Sequence, residues 1–185
     1  MGERESQKEP RHGSGLPFEA FRADARRLSL TDFEECHGSG FLLLTAAELN
    51  EPTGPAATEV HLVGIDEPAS ERTASLSLLA YPLRRTERSA GHLVTVGRTS
   101  NNDVVIPDLS VSRFHAFVKP VGDGRFQIQD ANSTNGTTVN GTSVPAQGHG
   151  LGVDLKSGDN VRLGQVDLTF LSAQALRDFV LARDT

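Results

Sequence analysis

Residues 110–141 read SVSRFHAFVKPVGDGRFQIQDANSTNGTTVNG, and the middle of that stretch decides the fold class. Arg125-Phe126-Gln127-Ile128-Gln129 alternates polar and apolar side chains strictly, the period of a strand with one buried and one wet face. Gly122-Asp123-Gly124 ahead of it reads as a turn, and clusters of small polar residues lie on either side. Val166-Asp167-Leu168-Thr169-Phe170 repeats the alternation after a turn at Gly164-Gln165, and Gly141-Thr142 supplies a further turn. Leu76 to Leu83 and His92 to Val96 extend the series toward the N-terminus. Short strands recurring about every 8 to 12 residues predict an all-β sandwich or barrel over residues 75–171.

The flanks read differently. Residues 1–15 are polar and predict a disordered tail. Phe18, Phe21, Ala25 and Leu28 recur at helical spacing, so one face of a short helix is apolar. Thr31 and Glu34 have the spacing of a capping box for a second helix, which Gly38 can stop. Phe41 to Thr45 and Val60 to Ile65 predict strands on either side of the Pro52-Thr53-Gly54-Pro55 loop. At the other end Ser172 predicts the cap of an amphipathic helix with Leu176, Phe179 and Val180 on one face. The expected organisation is a tail (1–15), a helical and stranded extension packed on the sandwich (16–74), the sandwich (75–171) and a C-terminal helix (172–185).

Composition narrows the function. A chain of 185 residues suits one domain with an appendage, and its 18 Gly and 9 Pro favour many short strands. The net charge of -6 removes the basic field that nucleic-acid binding needs. No Lys or Arg lies between Arg27 and Arg72, an acidic stretch that reads as a solvated face. The single cysteine, Cys36, forms no internal disulfide or thiolate zinc site, which suits a reducing compartment. His12, His37, His61, His92 and His149 lack metal-ligand spacing, so neither a metal nor a cofactor is expected. The first residues lack the apolar core of a secretory signal, and no apolar run is long enough to span a bilayer. Together these predict a cytoplasmic protein without a membrane partner.

The chemistry concentrates in the gaps between strands. Arg98 leaves a strand after Gly97, Ser110, Ser112 and Arg113 fill the next gap, and Asn132-Ser133-Thr134-Asn135-Gly136 a third. Loops at one end of a rigid sandwich are where binding groups collect. An Arg fork, hydroxyls, an amide and turn N–H groups suit a small, multiply charged anion. Ser112, His115 and Asp130 superficially suggest a hydrolase triad. On a strand, side chains three apart point to opposite faces, so His115 could not readily serve Ser112 as base. His115 is expected instead to be a buried structural histidine. Gly148 to Gly152 lacks the following Lys-Ser/Thr of a nucleotide loop.

Four pieces in order, Gly97-Arg98, Ser112-Arg113-Phe114-His115, Asp130 to Thr137 and Asn140-Gly141, resemble the forkhead-associated (FHA) domain family over about residues 75–171. The resemblance implies a sandwich of about eleven strands that binds phosphothreonine peptides at one end without catalysis. It implies that Arg98 and Ser112 hold the phosphate, that Thr134 adds a contact, and that Asn135 binds the peptide main chain. It implies further that Arg113 adds a second cation and that Gly97, His115, Gly136, Asn140 and Gly141 shape the loops. The implied partner is a phosphothreonine-containing protein in a Ser/Thr kinase pathway. Ser110, Asn101 and Asn102 are expected to face the residues that follow the phosphothreonine. The alternative is an interaction domain that uses the same fold without phosphate.

Overall fold

The computed structural model describes residues 13–45, 78–86, 91–122 and 124–183. Two sheets face each other. The larger orders its seven strands β1-β3-β2-β12-β11-β8-β9, where β1 is Leu16–Pro17, β2 Gly40–Thr45, β3 Leu78–Pro82, β8 Thr137–Val139, β9 Thr142–Ser143, β11 Asn160–Leu163 and β12 Val166–Ser172. The smaller runs β10-β7-β6-β4-β5, with β4 Val94–Gly97, β5 Val104–Val105, β6 Ala116–Gly122, β7 Arg125–Asp130 and β10 Val153–Leu155. The described residues thus hold twelve strands where about eleven were expected, in the sandwich that the alternation predicts.

The core between the sheets follows from the period-two pattern. Phe126 and Ile128 of β7 point inward, as do Val166, Leu168 and Phe170 of β12, while Gln127 and Gln129 stay on the wet face. Strand β2 is apolar on both sides for a structural reason. Leu42 and Leu44 enter the sandwich core, whereas Phe41 and Leu43 face a second core built by the helices. That second core joins Phe18 and Phe21 of a 3-10 turn, Ala25 of α1 (Arg22–Arg27), Phe33 of α2 (Leu30–His37) and Leu176 and Val180 of α3 (Ala173–Ala182). Helices therefore cover the outer face of the β1-β3-β2-β12 part of the larger sheet. Arg177 of α3 donates to the carbonyls of Ala25 and Leu28 at 2.8 Å each, tying α3 to the orphan carbonyls at the end of α1.

Several expectations change. The division at residue 75 cuts through one sheet, because β2 pairs with β3 and with β12 (Phe41 opposite Leu171) and β1 pairs with β3. These strands belong to the sandwich itself, since the edges of β3 and β12 need a partner between them. The end of the expected tail is pinned: the Gly13 carbonyl accepts the Val105 N–H at 2.8 Å. The cap of α2 is Ser29, whose Oγ accepts the Asp32 N–H at 3.2 Å, so the helix starts ahead of Thr31. This earlier start makes Leu30 helical, three residues from Phe33, and both pack in the second core. Gly38 ends α2 at φ 102°, and Ser172 caps α3 by accepting the Ala175 N–H. The β8–β9 turn is Asn140-Gly141 (φ 50° and 77°), the type I′ pattern, rather than Gly141-Thr142. The expected strand Val60 to Ile65, the Pro52 to Pro55 loop and residues 1–12 lie outside the described residues.

Candidate functional site

Strand β4 ends at Gly97, where two loops cross it closely. A Cβ here would collide with the Arg113 carbonyl oxygen and lie 2.9 Å from Asn102 Nδ2. The same backbone holds both loops: Ile106 N–H donates to the Gly97 carbonyl and Arg98 N–H to the Ser112 carbonyl, each at 3.0 Å. Gly97→Ala should therefore cost about 2 kcal/mol, because backbone rather than a flexible side chain must yield. Urea denaturation of the variant checks this; an unchanged midpoint would refute the crowding argument.

Asn102 Nδ2 donates to the Thr99 carbonyl at 2.8 Å and to the Arg113 carbonyl at 2.7 Å, joining the loop after β4 to the loop before β6. Asp108 braces that second loop by accepting the Ser110 N–H at 2.7 Å and the Ser110 hydroxyl at 2.6 Å. Ser110 Oγ in turn accepts the Gln165 N–H at 2.9 Å, and the Ser110 carbonyl accepts Asn135 Nδ2 at 2.7 Å. The third loop is organised by Asp130. Its carboxylate accepts the Ser133 N–H (2.9 Å), the Ser133 hydroxyl (2.6 Å) and the Thr137 hydroxyl (2.7 Å). Burial pushes the Asp130 pKa up, but the hydrogen bonds from Ser133 and Thr137 outweigh it and hold the group below the usual aspartate value.

His115 fastens the second loop to the third. Its Nδ1 accepts the Ser112 N–H at 2.9 Å, and Nε2 faces the Gly136 carbonyl at 3.1 Å, so the neutral Nε2–H tautomer satisfies both. Burial lowers its pKa, with the Gly136 hydrogen bond and the Asp130 charge partly opposing. Residues 112–115 form a loop and not a strand, which corrects the premise of the triad argument. Its conclusion stands on different ground: both ring nitrogens are engaged with backbone and neither serves Ser112 Oγ.

Above this framework lies a cleft of about 450 Å³, lined by Arg98, Ser112, Arg113, Thr134 and Asn135 among others. All five residues expected to bind phosphopeptide are thus brought together. Arg98 is half-buried, and its Nε donates to the Val111 carbonyl at 3.1 Å, which aims the guanidinium while its two Nη groups make no hydrogen bond with the described residues. Arg113 is exposed, and its guanidinium has no ion-pair partner among the described residues. Ser112 Oγ accepts the Thr134 N–H at 3.0 Å, placing the two hydroxyls 3.4 Å apart. Asn135 commits its amide nitrogen to Ser110, which fixes its carbonyl oxygen in the cleft wall.

Gly97, His115 and Gly136 (φ 79°) underlie the cleft. Asn140 and Gly141 lie outside its lining and tie the β8–β9 hairpin to β11, through Asn140 Nδ2 to Asp159 at 2.8 Å and Asn160 N–H to Asn140 Oδ1 at 2.9 Å. Asn102 is buried and Ser110 is fully engaged, so neither is free to face a peptide as expected; Asn101 is exposed. Sequence reading passed over Asp108, Asp130 and Gln165 as builders of the loops. The pairs Asp108-x-Ser110 and Asp130-x-x-Ser133 carried a signal, since short carboxylates fold turns onto their own backbone. Among the described residues no group of three potential metal ligands comes together, and no helix is long and apolar enough to cross a membrane.

Comparison with known proteins identifies the family. A profile of the FHA domain matches residues 94–164. The oxoglutarate dehydrogenase inhibitor of Corynebacterium glutamicum is 35% identical over 138 residues, covering 72% of this chain and 85% of that protein. The glycogen accumulation regulator GarA of Mycolicibacterium smegmatis is 37% identical over 131 residues, covering 67% and 75%. An ABC transporter ATP-binding/permease protein of Mycobacterium tuberculosis is 36% identical over 109 residues, but the match spans 59% of this chain and only 12% of the transporter. Among solved structures, Mycobacterium tuberculosis EmbR in complex with a low-affinity phosphopeptide aligns with TM-score 0.43 at 22% identity, covering 72% of this chain and 24% of that one. The FHA domain of a Chlamydia trachomatis protein aligns with TM-score 0.44 at 22% identity, covering 72% and 97%. With two relatives, 35% and 37% identical, matched over three quarters or more of their length, and an FHA profile matching residues 94–164, the chain belongs to the FHA-domain family.

Proposed function

We propose that the cleft binds a phosphothreonine-containing segment of another protein, making this chain a non-catalytic adaptor in Ser/Thr kinase signalling. The observation that carries the reading is the pair of guanidinium groups, Arg98 and Arg113, gathered beside Ser112 in a protein whose net charge is -6. A phosphate monoester carries about -1.5 to -2 charges at pH 7 and presents three acceptor oxygens, which an aimed Arg fork and adjacent hydroxyls match. Arg98 and Ser112 hold the phosphate, Thr134 adds a hydroxyl, Arg113 contributes charge, and the Asn135 carbonyl receives a peptide N–H. Catalysis has no place in this scheme, because His115 is buried beneath Ser112 with both nitrogens engaged. The free, exposed thiol of Cys36 fits a reducing compartment, and we assign the protein to the cytoplasm.

Calorimetric titration with one peptide in three forms, phosphothreonine, phosphoserine and unmodified threonine, tests the reading. The phosphothreonine form should bind, the unmodified form should not, and affinity should fall as pH drops through about 6, where the phosphate loses its second charge. Equal binding of all three forms would establish the phosphate-independent interaction domain instead.

A further inference from the structure

The sequence carries Asn-Gly twice, at Asn135-Gly136 and Asn140-Gly141. An asparagine amide before glycine is open to attack by the next backbone nitrogen, because glycine has no Cβ to crowd the approach. Both asparagines are exposed, so solvent reaches either amide. What separates them is how firmly the fold holds the atoms that must meet.

Asn140 is clamped. Its N–H donates to the Asn160 carbonyl at 2.8 Å, its Nδ2 to Asp159 at 2.8 Å, and its Oδ1 accepts the Asn160 N–H at 2.9 Å, all within a hairpin that pairs Val139 with Thr142. Asn135 is held by its side-chain nitrogen alone, on the Ser110 carbonyl at 2.7 Å, and its own N–H and C=O form no hydrogen bond with the described residues. The attacking nitrogen, that of Gly136, is restrained by one bond, its N–H to Ser133 Oγ at 3.0 Å. His115 and the Gly164 N–H hold the Gly136 carbonyl, on the following peptide plane, so the framework can stay in place while the Asn135–Gly136 plane turns. Space does not oppose that turn, since even a Cβ on Gly136 would meet nothing within 4 Å. Two bonds in an exposed loop open locally far more often than the whole chain unfolds.

We propose that Asn135 is a self-modification site, where the Gly136 nitrogen converts the asparagine amide to a carboxylate and so closes the cleft to phosphate. The Gly136 nitrogen bonds to Asn135 Cγ and gives up its proton, and Nδ2 departs with that proton as ammonia, leaving a cyclic succinimide. Water then opens the ring. Addition at Cγ gives aspartate, and addition at the main-chain carbonyl gives the β-linked isoaspartate. One water is consumed and one ammonia released, without oxidant or enzyme. The aspartate product sets an acceptor against the Ser110 carbonyl where a 2.7 Å donor stood. The isoaspartate product also lengthens the loop backbone by a methylene group. Either adds a negative charge to the wall shared with Arg98 and Ser112, where it opposes a phosphate. The loss of binding rests on the phosphopeptide reading above; the modification does not.

The test incubates the full chain in mildly alkaline buffer and passes it over an immobilised phosphothreonine peptide. Retained and unretained chains are digested at low pH and the converted residue is located by fragmentation mass spectrometry. Asn135 should convert about tenfold or more faster than Asn140 in the same chains, and converted chains should collect in the unretained fraction. Ser133→Ala frees the Gly136 N–H and should speed conversion at Asn135 about fivefold while leaving Asn140 unchanged. Free phosphothreonine peptide at about ten times its Kd should slow Asn135 about tenfold and spare Asn140. The ratio of the two sites in wild type needs no variant, so misfolding of Ser133→Ala cannot mask the result. The proposal is overturned if Asn140 converts as fast as Asn135 in wild type, or if converted chains are retained like unconverted ones. If Asn135 converts first but no chain is retained, converted or not, the phosphopeptide reading fails and the assigned loss of binding with it, while the modification site stands.

Discussion

Replacing Arg98 with alanine is expected to weaken binding of a phosphothreonine peptide by about 100-fold or more, with little change in fold stability. The two Nη groups are the uncommitted donors of an already aimed fork, and a charge-assisted hydrogen bond to phosphate contributes about 1.5 to 3 kcal/mol. Losing two such bonds and a unit charge exceeds the roughly 2.7 kcal/mol that corresponds to a factor of 100. The native protein gives up one bond, from Nε to the Val111 carbonyl, at a half-buried position, so the unfolding midpoint should move by no more than about 1 kcal/mol. Arg98→Lys keeps the charge without the fork and should bind at an intermediate level. Calorimetry on both variants, with urea denaturation alongside, checks the separation. Intact binding by Arg98→Ala would remove Arg98 from the site.

Asp130→Ala should have the largest effect on stability, a loss of about 3 kcal/mol. The carboxylate is buried and serves three donors at once, from Ser133 N–H, Ser133 Oγ and Thr137 Oγ1, and the Ser133 hydroxyl also accepts the Gly136 N–H at 3.0 Å. Deleting it leaves buried donors without partners and loosens the turn that presents Thr134 and Asn135. Phosphopeptide affinity should therefore fall as well, although Asp130 never touches the ligand. The pH dependence follows the same residue. Because the folded state lowers its pKa, Asp130 contributes stability above its unfolded value of about 3.9, and that contribution is lost as pH falls through the folded value. His115, also lowered in the folded state, favours folding above about pH 6.5 and erodes stability as pH falls below it, since the unfolded chain gains the proton first. Wild type should lose stability in two stages on acidification, and Asp130→Ala should show a shallower acidic stage, because Asp167, held below the usual aspartate range by its hydrogen bond from Arg162, still contributes there. Equal slopes below about pH 4 in both proteins would contradict this assignment.

How far the sequence could be read depended on how local each signal was. The period-two runs of β7 and β12, the Ser172 cap and the order of the site motifs could be read because each expresses a relation among near neighbours. The start of α2 was misplaced because two capping patterns overlap. The choice of Ser29 over Thr31 depends on how Leu30 packs, a tertiary fact. The short apolar run of β2 showed a strand, but its position between β3 and β12 depends on partners 33 to 41 and 126 to 132 residues away. In the site, the five cleft residues were legible as a motif, whereas the commitment of Ser110 to Gln165 and of Asn102 to Arg113 crosses between loops. No spacing within one loop reveals such a bond.

The placement of β2 also sets a timetable for the growing chain. The smaller sheet draws all its strands from residues 94–155 and can assemble largely from neighbouring segments. The larger cannot close until β12, the last strand among the described residues, reaches β2, one of the first. During synthesis β2 therefore waits with apolar side chains on both faces and an open edge, the condition under which a strand recruits the wrong partner. Pairing with β12 completes the larger sheet and ends that exposure.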